Sequence, residues 1–351
     1  MAEGPAKPVN LALQGGGAHG AVAWGVLDRL LEDGRLEIDS ISGSSAGAVN
    51  AVALAYGYHC DGRAGARKTL DALWRAISDK GRIFSPVRRT PWEAAMGAYN
   101  LDNSLSYRLF DIFTRIFSPY QFNPFGFNPL RDVLGDVIDF ESLRECRRAK
   151  LFLAATNVRT GKIRIFRTEE ISLDVVLASA CLPFLFKAVE IDGEHYWDGG
   201  YMGNPALFPF FYEAGTSDII IVHVNPLERE GPPMTAPEIL NRINEISFNS
   251  SLLRELRAIN FVHKLLDDGW IKDEYRDRLR NIRIHSVRCD RSVSDLSVAS
   301  KFNVEWAFLT ELKERGRRIA DAWLEENFDL VGARSSVDIR AMFDGGEAGA
   351  R

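Results

Sequence analysis

Ser45 is the residue whose neighbours most clearly indicate chemistry. It lies in the segment GSSAG, between Gly43 and Gly47, after a predicted strand at residues 38–41 and before an alanine-rich stretch. This segment fits the pattern G-x-S-x-G at the junction of a strand and a helix, where small neighbours permit a strained turn that exposes the serine hydroxyl. The N-terminus of the following helix favours negative charge on the attacking oxygen. The spacing therefore predicts a nucleophilic serine.

A glycine-rich turn precedes this serine. Residues 15–20 have the sequence GGGAHG and connect a predicted strand at residues 9–13 to a predicted helix at about residues 21–32. The glycines of the turn are Gly15, Gly16, Gly17 and Gly20. Unhindered backbone N–H groups at a helix N-terminus can bind an anion. The turn therefore predicts an anion-binding loop.

Two chemistries are compatible with such a loop. Its G-x-G-x-x-G spacing fits a dinucleotide-binding fingerprint, in which Glu37 or Asp39 would bind the ribose. Alternatively, its N–H groups form an oxyanion hole for acyl transfer. A dinucleotide-binding fold has no need of the second glycine turn around Ser45, so the two turns together favour acyl transfer.

A nucleophilic serine needs a base to take its proton. None of the six histidines stands in a clear loop late in the chain, and His223 and His263 fall in strand and helix patterns. Asp198 offers a carboxylate, because it ends a predicted hairpin strand and is followed by Gly199 and Gly200, which allow the backbone to turn. Asp-Gly-Gly alone is often an ordinary turn, so this interpretation depends on the other two segments.

Together, GGGAHG, GSSAG and DGG resemble, in this order, the motifs of the patatin-like phospholipases. The similarity extends to ASACLPFLF at residues 178–186, to the ATNVRTGK hairpin and to the GNP after Asp198, so it spans most of residues 9–225. The resemblance implies a Ser–Asp dyad without a catalytic histidine, on a three-layer α/β/α fold like that of cytosolic phospholipase A2. It also implies that Ser45 is the nucleophile, that Asp198 is its base, and that N–H groups of residues 15–17 hold the oxyanion.

His19 departs from the family pattern. Many members carry lysine or arginine at this position, which would place a fixed cation beside the oxyanion loop. A neutral imidazole gives less help with an anionic phospholipid head group, whereas a protonated one would restore the charge.

The pattern of apolar runs predicts an α/β fold with a mostly parallel sheet. Strand, glycine turn and helix occur twice within the first 60 residues, and the rhythm resumes at residue 150. Hairpins are expected to turn at residues 160–161 and 192–193. Further predicted elements are a short helix at 173–180, a central strand from 218, a long helix at about 237–266, a strand near 281–289 and a last helix at 299–326.

These elements predict a single patatin-like domain over residues 9–330. An aromatic-rich cap or insertion is expected at about 91–130, and a C-terminal helical extension at about 235–330. The final residues, 340–351, are expected to form a disordered tail. The aromatic segment can cover an acyl-binding pocket or enter a lipid interface, and an inserted helix packed on the core is the alternative.

Composition excludes several functional classes. Lys and Arg total 43 against 48 Asp and Glu, and this mildly acidic chain has no long basic run, so nucleic-acid binding is not expected. The four cysteines are widely spaced and form no Cys-x-x-Cys pair, so no metal site, disulfide framework or cofactor is expected. No secretory signal or membrane-spanning run is visible, which predicts a cytoplasmic protein, with peripheral contact to lipid aggregates through the aromatic segment.

The expected reaction is hydrolysis of a lipid carboxylic ester through an acyl-Ser45 intermediate. A phospholipid, a lysophospholipid or a simpler ester would all fit the motifs, which specify neither acyl chain nor oligomeric state. Two alternatives use the same fold: a catalytically inactive lipid-binding protein, and an acyltransferase that passes the acyl group to an alcohol.

Overall fold

The structure is a computed structural model that describes residues 5–84, 105–272, 279–293, 296 and 299–344. Within these residues, eight strands form one sheet. They are β1 (Lys7–Leu13), β2 (Leu36–Gly43), β3 (Lys150–Asn157), β4 (Ile163–Arg167), β5 (Val189–Ile191), β6 (Glu194–Asp198), β7 (Asp218–His223) and β8 (Arg283–Arg288).

The sheet is mixed, with a parallel centre. Its order is β5-β6-β3-β2-β1-β7-β8, and β4 also pairs with β3. Neighbouring strands pair in parallel along the series β3-β2-β1-β7-β8. The strands β4, β5 and β6 pair antiparallel. The two predicted hairpins, β3–β4 and β5–β6, are confirmed, and Gly161, Asp192 and Gly193 have the positive φ angles that their tight turns require.

Helices cover both faces of the sheet. They are α1 (Gly20–Asp33), α2 (Ala46–Phe84), α3 (Leu105–Ile116), α4 (Pro119–Phe122), α5 (Pro129–Val137), α6 (Phe140–Arg144), α7 (Leu173–Ser179), α8 (Phe208–Glu213), α9 (Ala236–Asp267), α10 (Trp306–Asn327) and α11 (Ile339–Phe343). Alternate residues of a strand point to opposite faces. Leu11 and Leu13 of β1 accordingly join the core under α1, α2 and α10, whereas Ala12 joins the core under α8 and α9. The predicted α/β/α layering is confirmed.

The helix after Ser45 ends close to its predicted boundary near Tyr58, because the backbone of α2 leaves the helical conformation at Asp61 and Gly62. Gly62 has φ 56° and ψ −143°, a conformation open to glycine. A second helical half, which the alanine pattern did not predict, continues from this kink to Phe84. The second half then buries Leu70, Leu73 and Trp74 in the same core.

The C-terminal part is integrated in the domain. β8 pairs in parallel with β7 at the edge of the sheet, so residues 235–330 are more than a helical extension. The last helix begins at Trp306 instead of residue 299, because residues 299–302 form a separate 3₁₀ turn. The predicted tail begins with the helix α11, whose Ile339 is buried, and residues 345–351 lie outside the described residues.

The predicted aromatic segment is described only in part. Residues 91–104 lie outside the described residues, and the helical spacing from Leu105 to Ile116 is confirmed as α3. Pro119 and Pro129 each begin a new helix, α4 and α5, at the first helical position, where a missing N–H costs nothing.

α10 packs closely against α1 at two glycines. A Cβ added to Gly25 would lie 1.9 Å from the Lys313 carbonyl oxygen, and one added to Gly316 would lie 2.0 Å from that of Val22.

We therefore expect Gly25→Ala to lower the free energy of unfolding by roughly 1–3 kcal/mol through overpacking, as measured by urea denaturation. Gly135→Ala is the matched control: this exposed position of α5 has room for a methyl group, so stability should rise by about 0.5–1 kcal/mol. An unchanged Gly25→Ala protein would contradict this packing.

Candidate functional site

Ser45 occupies a strained turn between strand and helix. β2 ends at Gly43 and α2 begins at Ala46, so Ser45 lies at the carboxyl end of the strand and at the N-terminus of the helix. Its φ is 55°, in the left-handed region that costs an ordinary residue about 1–2 kcal/mol. The Ser45 N–H donates to the Ser179 carbonyl oxygen at 3.1 Å, which helps to hold the turn. The residue is half-buried.

The glycines around Ser45 allow backbone segments to touch. A Cβ at Gly47 would lie 2.1 Å from the Leu13 carbonyl oxygen, and one at Gly43 would lie 2.6 Å from the Gly47 carbonyl oxygen. Side chains at either position would push the start of α2 away from the ends of β1 and β2. The sequence G-x-S-x-G therefore has a steric cause here, in addition to any chemical one.

The glycine loop lies directly against Ser45. A Cβ at Gly15 would be 2.5 Å from the Ser45 Cβ. The Gly15 N–H donates to the Asn204 side-chain oxygen at 2.7 Å, so it is already occupied. No hydrogen-bond acceptor for the N–H groups of Gly16 or Gly17 is found in the described parts of the chain. Of the three predicted oxyanion donors, two are thus available for a ligand.

Asp198 ends β6 in a buried position. Only 1% of its surface is exposed, and Oδ1 accepts the Gly200 N–H at 2.7 Å. The turn after it is tight, because a Cβ at Gly199 would lie 2.1 Å from the Ala154 carbonyl oxygen. The Thr156 hydroxyl donates to the Asp198 carbonyl oxygen at 2.8 Å and ties the turn to β3.

The structure brings Ser45 and Asp198 together. Burial raises the pKa of the Asp198 carboxyl to about 6, an effect partly opposed by the Gly200 N–H and by a hydrogen-bonding interaction with the Ser45 side chain. The contact with Ser45 is loose, since Oδ2 of Asp198 has no partner at ordinary hydrogen-bond geometry among the described residues. Such contacts are often long or poorly aligned before substrate binds.

The surroundings of Asp198 are neutral. Burial, together with the charge of Asp198, raises the pKa of the Cys181 thiol and of the Tyr201 hydroxyl to about 12 each. The Tyr201 ring lies 5.1 Å from that of Phe248, which also covers Gly200. The motifs gave no indication of Tyr201 or Phe248; Cys181 lies in the matching segment ASACLPFLF, but its side chain carried no assigned role.

His19 is neutral and turned away from this chemistry. It is buried, and its Nε2 lies 2.7 Å from the Ser300 hydroxyl. Burial, and then the nearby charge of Lys301, hold the pKa of His19 well below its usual range. Among the described residues, which include all six histidines, no hydrogen bond joins a histidine to Ser45 or Asp198.

An exposed apolar surface lies beside the site. The side-chain hydroxyl of Tyr120 accepts the Ala188 N–H at 3.3 Å, and Lys187 donates to the Pro124 carbonyl oxygen at 2.7 Å, so α4 adjoins the loop that follows Cys181. α3 packs on α4, since the ring centres of Phe113 and Phe122 lie 5.4 Å apart. We call the exposed large side chains of this region the apolar surface: Leu109, Ile112, Phe113, Ile116, Phe117, Tyr120, Phe125, Phe127, Phe184 and Met202. In the portions of the chain that are described, no helix combines the length and hydropathy required to cross a bilayer.

Two solved structures align with most of this chain. VipD from Legionella pneumophila aligns with 92% of this chain and 67% of its own, at 15% identity and a TM-score of 0.42. ExoU from Pseudomonas aeruginosa, in its complex with SpcU, aligns with 92% of this chain and 53% of its own, at 16% identity and a TM-score of 0.31.

Sequence comparison identifies the family. The curated relative described as a cGAMP-activated phospholipase, from Vibrio cholerae serotype O1, is 25% identical over 364 aligned residues, which cover 92% of each chain. The sequence pattern of the family described as Patatin-like phospholipase matches residues 11–211, more than half of the chain. The chain therefore belongs to the patatin-like phospholipase family, enzymes that hydrolyse lipid esters.

Proposed function

We propose that this protein cleaves the carboxylic ester bonds of phospholipids or lysophospholipids, with Ser45 as nucleophile and Asp198 as base. The observation that carries the proposal is the contact of the Ser45 side chain with a buried carboxylate whose pKa is raised to about 6. The free N–H groups of Gly16 and Gly17 lie in the adjoining loop.

The raised pKa suits Asp198 to the role of base. An ordinary aspartate, with a pKa near 4, is a weak base for a serine hydroxyl. With a pKa of about 6, Asp198 is still mostly deprotonated at neutral pH but holds a transferred proton more strongly. Asp198 takes the hydroxyl proton as the Ser45 oxygen attacks the ester carbonyl carbon, and the carbonyl oxygen becomes an oxyanion.

Gly16 and Gly17 then stabilise that oxyanion through their N–H groups. One such donor lowers a barrier by about 3 kcal/mol in comparable sites. The N-terminus of α2, directly after Ser45, adds a favourable partial positive charge. The leaving alcohol or lysolipid takes the proton from Asp198 as the ester C–O bond breaks. Water, activated by Asp198, then attacks acyl-Ser45 and releases the fatty acid.

The apolar surface supports a lipid substrate held in an aggregate. Phe125 is 97% exposed and Ile116 is 66% exposed, a position that is unfavourable in water but favourable in an acyl-chain environment. We infer that this face of the protein contacts membranes or micelles from which the substrate is taken.

We further propose that a cyclic dinucleotide activates the enzyme. The support is the similarity to the cGAMP-activated phospholipase, which covers 92% of both chains and so extends well beyond the family match at residues 11–211.

Ser45→Ala and Asp198→Asn should each abolish hydrolysis of p-nitrophenyl esters and phospholipids while preserving the fold. The first removes the attacking oxygen, and the second removes the proton acceptor. The measurement is release of product, with and without cGAMP, together with labelling of Ser45 by a fluorophosphonate. Near-normal turnover by Asp198→Asn would reject the dyad. Labelling without turnover would favour a binding protein, and ester formation with added alcohols would favour an acyltransferase.

Asp198→Asn should also stabilise the protein in a pH-dependent way. A carboxyl whose folded-state pKa is raised from 3.8 to about 6 makes the wild type progressively less stable as pH rises through that window. The variant lacks this penalty, so its advantage in urea unfolding should grow between these pH values and level off above, at roughly 3 kcal/mol. Asp79→Asn, at an exposed carboxylate, controls for the loss of a charge. A pH-independent difference would contradict the burial of a charged Asp198.

Substitutions on the apolar surface should impair activity on aggregated lipid selectively. We expect the double variant Ile116→Ser, Phe125→Ser to lose about tenfold or more of its activity on phospholipid vesicles, since each side chain would forfeit contact with acyl chains. Activity on a short soluble ester should be unchanged. Tyr212→Ser is the control, because this exposed aromatic lies on α8, just before the N-terminal end of β7. Equal losses on both substrates would indicate a structural role.

Addition of cGAMP should increase the rate of phospholipid hydrolysis and raise the melting temperature, because a ligand that binds the folded state stabilises it. An equimolar mixture of GMP and AMP serves as the control. If neither the rate nor the melting temperature responds to cGAMP, the proposed activation is wrong, whereas the proposed hydrolysis would stand if basal turnover depends on Ser45.

A further inference from the structure

The peptide between Gly15 and Gly16 is held from outside the glycine loop. The Gly15 carbonyl oxygen accepts a hydrogen bond from the Asn225 side-chain N–H at 2.6 Å. On its other side, the Gly15 N–H donates to the Asn204 side-chain oxygen at 2.7 Å. Two buried asparagines therefore fix the backbone on both sides of Gly15: Asn204, from the matching GNP segment, and Asn225, which lies outside all the matching segments.

Fixing the Gly15 carbonyl also fixes the Gly16 N–H. The two groups belong to one planar trans peptide, in which C=O and N–H point in opposite directions. Glycines by themselves would leave this peptide free to rotate, because they lack the Cβ that restricts the backbone. The hydrogen bond from Asn225 therefore decides where the Gly16 N–H points, and Gly16 is one of the two proposed oxyanion donors.

Asn225 is itself held in place by two neighbours. Its backbone N–H donates to the Gln14 side-chain oxygen at 3.0 Å, and its own side-chain oxygen accepts from the Lys301 ammonium at 3.3 Å. The Gln14 side-chain N–H donates to the carbonyl oxygen of Asn204 at 3.1 Å, which links the two asparagines. A chain of satisfied, buried hydrogen bonds of this kind is rigid.

Lys301 borders the glycine loop. Its carbonyl oxygen would lie 2.7 Å from a Cβ at Gly17, and its own Cβ would lie 3.3 Å from it. Burial lowers the pKa of the Lys301 amino group, an effect that the nearby charge of Glu245 partly opposes. The Lys301 side-chain nitrogen donates to the Asn225 side-chain oxygen at 3.3 Å. A donor on the Asn225 amide oxygen strengthens the hydrogen bond that the amide N–H donates to Gly15.

We propose that Asn225, supported by Lys301, is a positioning residue that orients the Gly16 N–H toward the oxyanion. This inference rests on the proposed function. Both residues lie beyond the family match at residues 11–211, on the segments that follow β7 and β8. The C-terminal part would thus take part in catalysis by ordering the glycine loop.

The test compares Asn225→Leu with Asn10→Leu. Asn10 is a matched control, because it is also buried and also donates to backbone carbonyls, but on β1 away from the carboxyl end. Asn225→Leu should lower kcat on a p-nitrophenyl ester by about 10- to 100-fold, somewhat less than outright loss of an oxyanion donor. KM should change little. Affinity for a trifluoromethyl ketone, which forms a tetrahedral adduct on Ser45, should fall by the same factor as kcat/KM.

Lys301→Met provides a second variant should Asn225→Leu fail to fold. We expect a smaller fall in kcat and in ketone affinity, with recovery in Lys301→Arg, which can still donate to Asn225. Asn10→Leu should lower the melting temperature without altering either quantity. The inference is overturned if folded Asn225→Leu, or Lys301→Met in its place, keeps wild-type kcat and ketone affinity. If the wild type itself shows no Ser45-dependent turnover or labelling, the proposed function fails first.

Discussion

The burial of one carboxylate is the constraint on which the site depends. Within the described residues, the partners of the buried Asp198 carboxyl are the Gly200 N–H and a loose contact to Ser45, and burial raises its pKa to about 6. An aspartate on the surface would have a hydrated charge and therefore a lower pKa than Asp198. The neutral thiol and hydroxyl around it, Cys181 and Tyr201, leave this environment without a compensating charge.

Three backbone segments must meet closely for this burial to be useful. Gly47 touches Leu13, Gly15 touches Ser45, and Gly199 touches Ala154, each at a distance that excludes a side chain. Close contact brings the turn after β6 to the ends of β1 and β2. This close contact strains the backbone at Ser45, which has a left-handed conformation. The fold thus holds in one place a strained serine and a carboxylate that would each be more stable elsewhere.

The C-terminal part of the chain bears directly on this arrangement. β8 extends the parallel sheet, and α10 packs on α1 through Gly25 and Gly316. The same part brings Lys301 to the glycine loop. Because the family match ends at residue 211, the residues that set the electrostatics around the loop come partly from outside it.

The sequence alone determined the local turns and the layering. Glycines at 15–17, 43, 47 and 199 indicate tight turns because sterics act between neighbouring atoms, and the period of apolar residues separates strands from helices. The α/β class and both hairpins followed from such local signals, and the resemblance carried by the three motifs implied the family and its three-layer α/β/α fold. The continuation of α2 beyond its kink, the role of β8 and the helix at residues 339–343 did not follow, because they depend on packing between distant segments.

Only the tertiary structure decided the electrostatic character of the candidate site. No sequence pattern revealed that the Gly15 N–H is occupied by Asn204, that His19 is neutral, or that Lys301 borders the loop. The pKa of Asp198 likewise depends on which groups exclude water from it. Turns are set by residues adjacent in the chain, whereas burial and charge are set by residues adjacent in space, and the second kind of neighbour exists only after folding.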